Sequence, residues 1–390
     1  MSDTRDAIVE WTSQSLFTDS RYPPGSVSLL WNKVYPGTRM IETPRSIAVF
    51  RLSALGDVLM YLPTVRALQR SFPLAKITWI ISNPAYELVK NIEGIEFVVI
   101  EKPKSLRSYW NLKKQFSQYH FDILLASQAS FRAHLIYPLI KARKKIGYDS
   151  IRAQEGHRWV VGESIPFQKV HTLEGFLQFA QYIGADTSLV EWNFPIDTSA
   201  LSWVKEYLEE HEIVSDKPLV VINPAASKVE RSWNSEGYVQ LIQYLQTCHH
   251  AQIILAGGPS AFDRKLADDI LAQVQVLDLV GKTKLMQLMA LIGQVDLVIC
   301  PDTGPSHMAA CLATPVIALH GVTKPEISGP YDQLHQTVNL YPLAKQKFYK
   351  RSFLQRRHDW FEKVHHPEVM SLITVQDVIE KVQKVLHCKK

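Results

Sequence analysis

Two separate runs of alternating strand-like and helix-like stretches restrict the fold of this 390-residue chain more than any other feature. In the first run, apolar strand patterns at 46–51, 76–81, 95–100 and 121–127 alternate with helical patterns at 57–70, 84–90, 106–118 and 131–141. Near-continuous Val/Ile/Leu segments of this length, spaced by helices, suit a parallel sheet covered on both faces. A further helix, 171–184, ends on a glycine suited to a left-handed cap. The rhythm weakens over 186–216, around Pro195 and a polar helix at 199–211. It then restarts with strands at 219–223, 252–256, 276–280, 296–300 and 316–319, separated by helices at 235–248, 261–273 and 284–293 and another after Gly304. The expected class is α/β, with two doubly wound domains. Its parts are an extension (1–44), a first domain (45–195), a linker (196–216), a second domain (217–345) and a C-terminal basic segment with a closing amphipathic helix (346–390).

Composition narrows the function classes. The chain is 46% hydrophobic and 21% charged, as soluble globular proteins are. A net charge of +5 falls short of a nucleic-acid signature but favours anionic small molecules or a negatively charged membrane surface. Four scattered cysteines with no CxxC pair point to a reducing compartment without a disulfide framework or zinc site. No apolar run reaches the length of a membrane span, and residues 1–20 carry acidic groups where a secretory signal would be apolar. The expected location is cytoplasmic, at most peripheral to a membrane. A weak amphipathic pattern at 8–17 offers one such contact.

Two turns carry the chemistry. Cys300-Pro301-Asp302-Thr303-Gly304-Pro305-Ser306-His307 joins a strand to a helix, the geometry that aims free backbone N–H groups and a positive dipole end at an anion. Asp302 or Thr303 suits the cap, Pro305 the first turn, and Gly304 a close backbone approach. His307 follows about one turn on. Alone, this turn is an ordinary capped helix with a buried histidine. A second such turn, Arg51-Leu52-Ser53-Ala54-Leu55-Gly56-Asp57, joins the first strand to the first helix, at the carboxyl end of the sheet where open α/β folds bind ligands. It lacks GxGxxG, which removes a nicotinamide oxidoreductase, and Asp57 alone is an ordinary helix-start carboxylate. With both sheets' carboxyl ends opening on one cleft, a phosphate cradle would face a carboxylate. That arrangement suits moving a group from a nucleotide to a hydroxyl, with Asp57 as general base.

Ser53–Val58 through Leu62-Pro63, followed about 245 residues later by Asp302–Ala310, resembles the heptosyltransferases of lipopolysaccharide core synthesis, glycosyltransferase family 9. The resemblance implies a GT-B fold of two Rossmann-like domains facing a central cleft. It implies inverting, metal-independent transfer of a heptose from ADP-heptose to the lipopolysaccharide inner core, with no cofactor besides the nucleotide-sugar substrate. Residue by residue, Asp57 matches the family's proposed base, and Asp302, Thr303, Gly304 and His307 its donor-binding turn. Asn223 opens the diphosphate-contacting loop, and Arg231, two before Trp233, stands where the family often has lysine. Asp263 after Gly257-Gly258-Pro259 resembles the ribose-reaching acid, and Thr283 falls in a nucleotide-facing loop.

Gly281-Lys282-Thr283 is no P-loop, since Val276 occupies the position of its first glycine. The chain contains no Asp-x-Asp, and His249-His250 and His365-His366 lack partners at metal-ligand spacing, so no metal is expected. Basic residues gather in the first domain at 102, 104, 107, 113, 114, 132, 141 and 143–145. Such runs are usually solvated faces. Here Lys113, Lys114 and Arg132, with Ser53 of the first turn, are assigned to an anionic glycolipid acceptor of the lipid A–Kdo type. A family member using another sugar or acceptor, or a non-catalytic nucleotide-sugar-binding protein, is the alternative reading.

Overall fold

The computed structural model describes residues 43–153, 156–213, 216–349 and 358–386. The extension, its 8–17 pattern included, therefore lies almost wholly outside the described residues. The first domain holds β1 (Ser46–Phe50), β2 (Lys76–Ser82), β3 (Ile95–Ile100), β4 (Phe121–Leu125), β5 (Ala142–Gly147) and β6 (Glu163–Ser164), in the order 3-2-1-4-5-6. The second holds β7 (Leu219–Ile222), β8 (Gln252–Gly257), β9 (Leu277–Val280), β10 (Leu297–Pro301), β11 (Val316–His320) and β12 (Val338–Asn339), in the order 12-11-10-7-8-9. Both sheets are parallel throughout and wound alike, as the α/β rhythm requires. The order reverses beside β1 and β4 in one sheet and beside β7 and β10 in the other. At those switch points neighbouring loops part and leave a crevice.

Every residue of β7, β10 and β11 is buried, which explains why these strands are continuous apolar runs without alternation. The expected helix over 131–141 is a correction. It forms only a short piece, Phe131–His134, and a 3₁₀ turn, Tyr137–Leu139, because Pro138 offers no N–H to extend the first. The chain then enters β5, a strand hidden from pattern reading by Arg143, Lys144 and Lys145. Their charges are met locally: Arg143 lies 3.6 Å from Asp122, Lys144 lies 3.2 Å from Glu163, and Lys145 donates to the Tyr137 carbonyl at 2.7 Å. The closing helix, Val375–Leu386, buries Val378, Val382 and Leu386 at four-residue spacing against the second domain's core.

The two domains share apolar ground. One cluster runs from Ile47, Leu59, Trp79 and Phe179 of the first to Met289, Leu291, Val298 and Met308 of the second. The Leu55–Ser71 helix packs on the Gly304–Cys311 helix, and Thr198–Glu210 packs on Leu285–Ile292. A separate cluster, including Phe50, Leu112, Phe116, Ile136 and Tyr137, fills the other face of the first sheet.

His171 straps the domains together. Its Nδ1 accepts the Leu173 N–H at 3.2 Å, so Nε2 carries the proton and donates to the Gly329 carbonyl at 3.0 Å. Burial pushes His171 down to about 4, against an ordinary 6.5. The buried His157, 2.9 Å from His134, is likewise pushed down to about 4, first by burial and then by its neighbour's charge. Both rings stay neutral in the fold while the unfolded chain takes up protons near pH 6.5. Their contribution is therefore complete above pH 6.5 and is lost as pH falls from 6.5 through 4. The thermal midpoint should drop across that window, with a shallower slope in His157→Gln. A midpoint independent of pH there would mean that the rings titrate normally.

Candidate functional site

The turn after β1 is held from beneath by an arginine. Arg51, the last residue before the turn, is buried, donates to the Ser127 carbonyl at 2.7 Å and lies 4.7 Å from the centre of the Phe176 ring. Its other terminal nitrogen pairs with Asp57 Oδ2. Burial opposes the guanidinium's charge, but Asp57 outweighs it and holds the pKa above the ordinary arginine value. Asp57 sits at the third position of the Leu55–Ser71 helix, and the same Oδ2 accepts the Ala54 N–H at 3.2 Å. One carboxylate oxygen is thus anchored twice, while Oδ1 accepts no hydrogen bond from the described residues. The side chain stays about one-third exposed. A carboxylate fixed by one oxygen and open at the other has the geometry a general base needs.

The rest of the turn is equally braced. Gln128 Oε1 accepts the Leu52 N–H at 2.7 Å, and the buried Tyr137 hydroxyl donates to the Gln128 carbonyl at 2.7 Å. Ser53 accepts a hydrogen bond from Lys102 at 3.1 Å, which brings one member of the basic group beside the Asp57 loop. Arg132 is exposed in the first turn after β4. Lys113 and Lys114 are exposed in the last turn of Leu106–Phe116. A helix that returns from a strand's carboxyl end carries its last turn away from that end, about 10 Å along the axis here. The structure thus brings Ser53 and Lys102 to Asp57 and sets Lys113 and Lys114 farther off.

The opposing turn follows β10. Asp302 does not cap the helix; Thr303 holds the N-cap position, but its side chain accepts no hydrogen bond from the first-turn amides. Asp302 is instead buried and turned inward. Its Oδ2 accepts from Thr323 Oγ1 at 2.7 Å and from Arg231 at 3.3 Å. Since the threonine proton goes to Asp302, His320 Nδ1, 3.1 Å from Thr323 Oγ1, is the protonated nitrogen and donates to it. Burial pushes the Asp302 carboxyl up, but His320, Thr323, His307 and Arg231 together bring it below its usual range. The amides at Thr303-Gly304 are left uncapped, and a Cβ placed on Gly304 would meet open space.

The remaining residues expected to meet the donor lie on other loops of the same domain, and Arg231 among them reaches this turn. Arg231 ends a short 3₁₀ turn, Val229–Arg231, donates to Ser227 Oγ at 2.9 Å and keeps a buried Nε without a partner. Asn223 is buried and folds its own loop by donating to the Ala225 carbonyl at 2.7 Å. Asp263 closes the Gly258-Pro259-Ser260 turn: Oδ1 accepts the Gly258 N–H at 3.0 Å and Oδ2 accepts from Ser260. Thr283, two residues after the left-handed Gly281, is half-buried at the same end of the second sheet. Reading the sequence missed Arg51, Gln128, Tyr137, His320 and Thr323. Only Arg51 left a signal, as a charge at the end of an otherwise apolar strand.

The two turns touch. The buried His307 ring lies against Gly56, and a Cβ built there would stand 2.4 Å from His307 Cδ2. The expected gap between the domains is closed at this point, and Asp57 lies close enough to act electrostatically on His307. Burial lowers the His307 pKa, with the two carboxylates, Asp302 then Asp57, opposing it. Gly56→Ala should therefore part the turns and lower catalytic turnover by about tenfold or more. Its thermal midpoint should fall as well, since the added methyl overpacks a buried contact, and Gly56→Ala/His307→Ala should regain part of the turnover. Unchanged turnover in Gly56→Ala would show that the contact is dispensable.

Comparison with known proteins agrees with this architecture. Residues 109–357 match the model of glycosyltransferase family 9 (heptosyltransferase). The lipopolysaccharide core heptosyltransferase OpsX of Haemophilus influenzae is 32% identical over 348 residues, covering 88% of this chain and 98% of the relative. Among solved structures, a family 9 glycosyl transferase from Veillonella parvula superposes with a TM-score of 0.73 at 19% identity, over 90% of this chain and 99% of that one. The Escherichia coli heptosyltransferase WaaC with ADP superposes at 0.63 and 19% identity, over 87% and 99%. These last two share the fold of this chain. With the family model covering well over half its length, the chain belongs to glycosyltransferase family 9 and is a transferase.

Proposed function

We propose that this protein transfers a heptose from ADP-heptose to the inner core of lipopolysaccharide, with inversion at the anomeric carbon and without a metal. The observation that carries this reading is the contact of the Gly56 turn with His307, which sets a partly exposed carboxylate beside an uncapped helix N-terminus. The 32% identity to a lipopolysaccharide core heptosyltransferase supports the sugar and acceptor class. The superposition on a heptosyltransferase solved with ADP supports the nucleotide.

In this mechanism the acceptor hydroxyl approaches the open Oδ1 of Asp57. Its proton passes to the carboxylate as its oxygen bonds to the anomeric carbon. The bond from that carbon to the diphosphate oxygen breaks, and the nucleotide diphosphate leaves with the electron pair. Arg51 keeps the carboxylate aimed throughout. The uncapped amides at Thr303-Gly304 and the Arg231 guanidinium receive the charge that develops on the diphosphate. Asn223, Asp263 and Thr283 shape the loops that hold the nucleotide, and Asp302 holds Arg231. Ser53, Lys102 and Arg132 face the acceptor's anionic groups, with Lys113 and Lys114 farther along. Among the described residues no helix is long and apolar enough to cross a membrane. The enzyme would work at the cytoplasmic face of the inner membrane, as a peripheral protein.

Asp57→Ala should lower transfer by about a hundredfold or more while ADP affinity, measured by calorimetry, stays unchanged. Near-normal turnover in that variant would remove Asp57 from the mechanism.

A further inference from the structure

One face of the first domain combines two properties that soluble surfaces usually keep apart. Helix Leu106–Phe116, the short helices Phe131–His134 and His157–Val160, and the turn Tyr137–Leu139 lie side by side over the same face of the first sheet. Their inner sides are apolar core: Leu112, Phe116, Ala133, Ile136 and Tyr137. Their outer sides are apolar as well. Leu106 is 90% exposed, Trp110 63%, Phe131 62%, Leu135 44% and Trp159 79%. Leu106 and Trp110 stand four residues apart, one turn along one helix face, and so do Phe131 and Leu135.

Charge along these helices has a single sign. No aspartate or glutamate occurs between Glu101 and Asp122, between Asp122 and Asp149, or over 156–162. Those stretches hold Lys102, Lys104, Arg107, Lys113, Lys114, Arg132, Lys141, Arg143, Lys144, Lys145 and Arg158. Arg143 and Lys144 are paired across the sheet, whereas Arg107, Lys113, Lys114, Arg132 and Arg158 are exposed on the helices that carry the apolar side chains. A dry contact with a protein surface lacking acidic groups would leave those cations desolvated and unmatched. An isologous contact with a second copy would set cation against cation. An anionic bilayer answers both properties: its headgroups neutralise Lys and Arg while tryptophan and leucine settle at the boundary of the acyl region.

We propose that this face docks the enzyme onto an anionic phospholipid membrane, with Leu106, Trp110, Phe131, Leu135 and Trp159 as the inserting side chains. The proposal deepens the reading of a membrane glycolipid acceptor. The docking helices begin at the carboxyl end of the first sheet, so the Asp57 turn opens beside the bound surface. A lipid-anchored acceptor then reaches the base without leaving its bilayer.

Co-sedimentation with phosphatidylethanolamine vesicles containing phosphatidylglycerol, against pure phosphatidylcholine vesicles, tests the proposal. The unaltered chain should sediment with the anionic vesicles and be released as salt rises. Trp110→Ser/Trp159→Ser should weaken that partition by about tenfold or more, and Leu106→Ser/Phe131→Ser should do the same. In both double variants, transfer to a deacylated, soluble acceptor should be unchanged while transfer to acceptor embedded in vesicles falls. Vesicle binding equal to that of the unaltered chain in both variants would overturn the docking face. Loss of self-association in place of vesicle binding would also overturn it, by showing that a second copy covers this surface. Absence of transfer to either acceptor by the unaltered chain would defeat the functional reading and leave the sedimentation result standing.

Discussion

The missing side chain of Gly56 is the space into which His307 fits, and the site depends on that fit. Each turn alone belongs to many α/β proteins: a strand, a tight bend, a helix start. What joins them is a van der Waals contact that even one methyl group would break, made where both sheets present their carboxyl ends. Packed interiors transmit such a constraint with little slack, because side chains interdigitate at near-crystal density. The position of Asp57 relative to the Thr303-Gly304 amides is therefore set by helix packing and not by flexible loops.

Two aspartates are used in opposite ways around that contact. Asp302 is buried, bonded to Thr323 and Arg231, and held ionised by the charges around it. Its work is internal: by turning inward it leaves the helix amides behind it free for an anion. Asp57 keeps one oxygen on Arg51 and leaves the other open, so it is rigid without being saturated. A buried carboxylate without partners would cost several kcal/mol, which is why Asp302 comes with an entourage. A partly exposed one needs only a positioning cation. Arg51, between a backbone carbonyl and the Phe176 ring, supplies it.

Much of this was legible in the residues, and the exceptions have physical causes. Fully buried parallel strands such as β7 and β10 announce themselves as unbroken apolar runs, and the loops after β1 and β10 stand out because such strands must end at turns. β5 stayed hidden because Arg143 and Lys144 find carboxylates on the neighbouring strands and Lys145 finds the Tyr137 carbonyl, partners that periodicity does not reveal. The 131–141 helix failed because tertiary packing around Tyr137 and the ring of Pro138 outweighed local periodicity. The cap at Asp302 was misassigned for a related reason: His320 and Thr323, which draw its carboxylate inward, come from another strand end. That the two turns face each other was foreseen from the paired motifs, but as neighbours across a gap. Contact between them is a property of two helices meeting, which no single stretch encodes.

The apolar cluster shared by the two domains bears on how substrates enter. Lobes joined only by linkers can swing apart freely. Here, swinging would expose Met289, Leu291 and Met308 to water, at a cost of about 25 cal/mol for each Å² uncovered. Sliding one helix along another by an ångström or two keeps that surface covered. Any motion that opens the base and the amide cradle while keeping this surface covered is therefore a slip of small amplitude along the Leu55–Ser71 and Gly304–Cys311 seam.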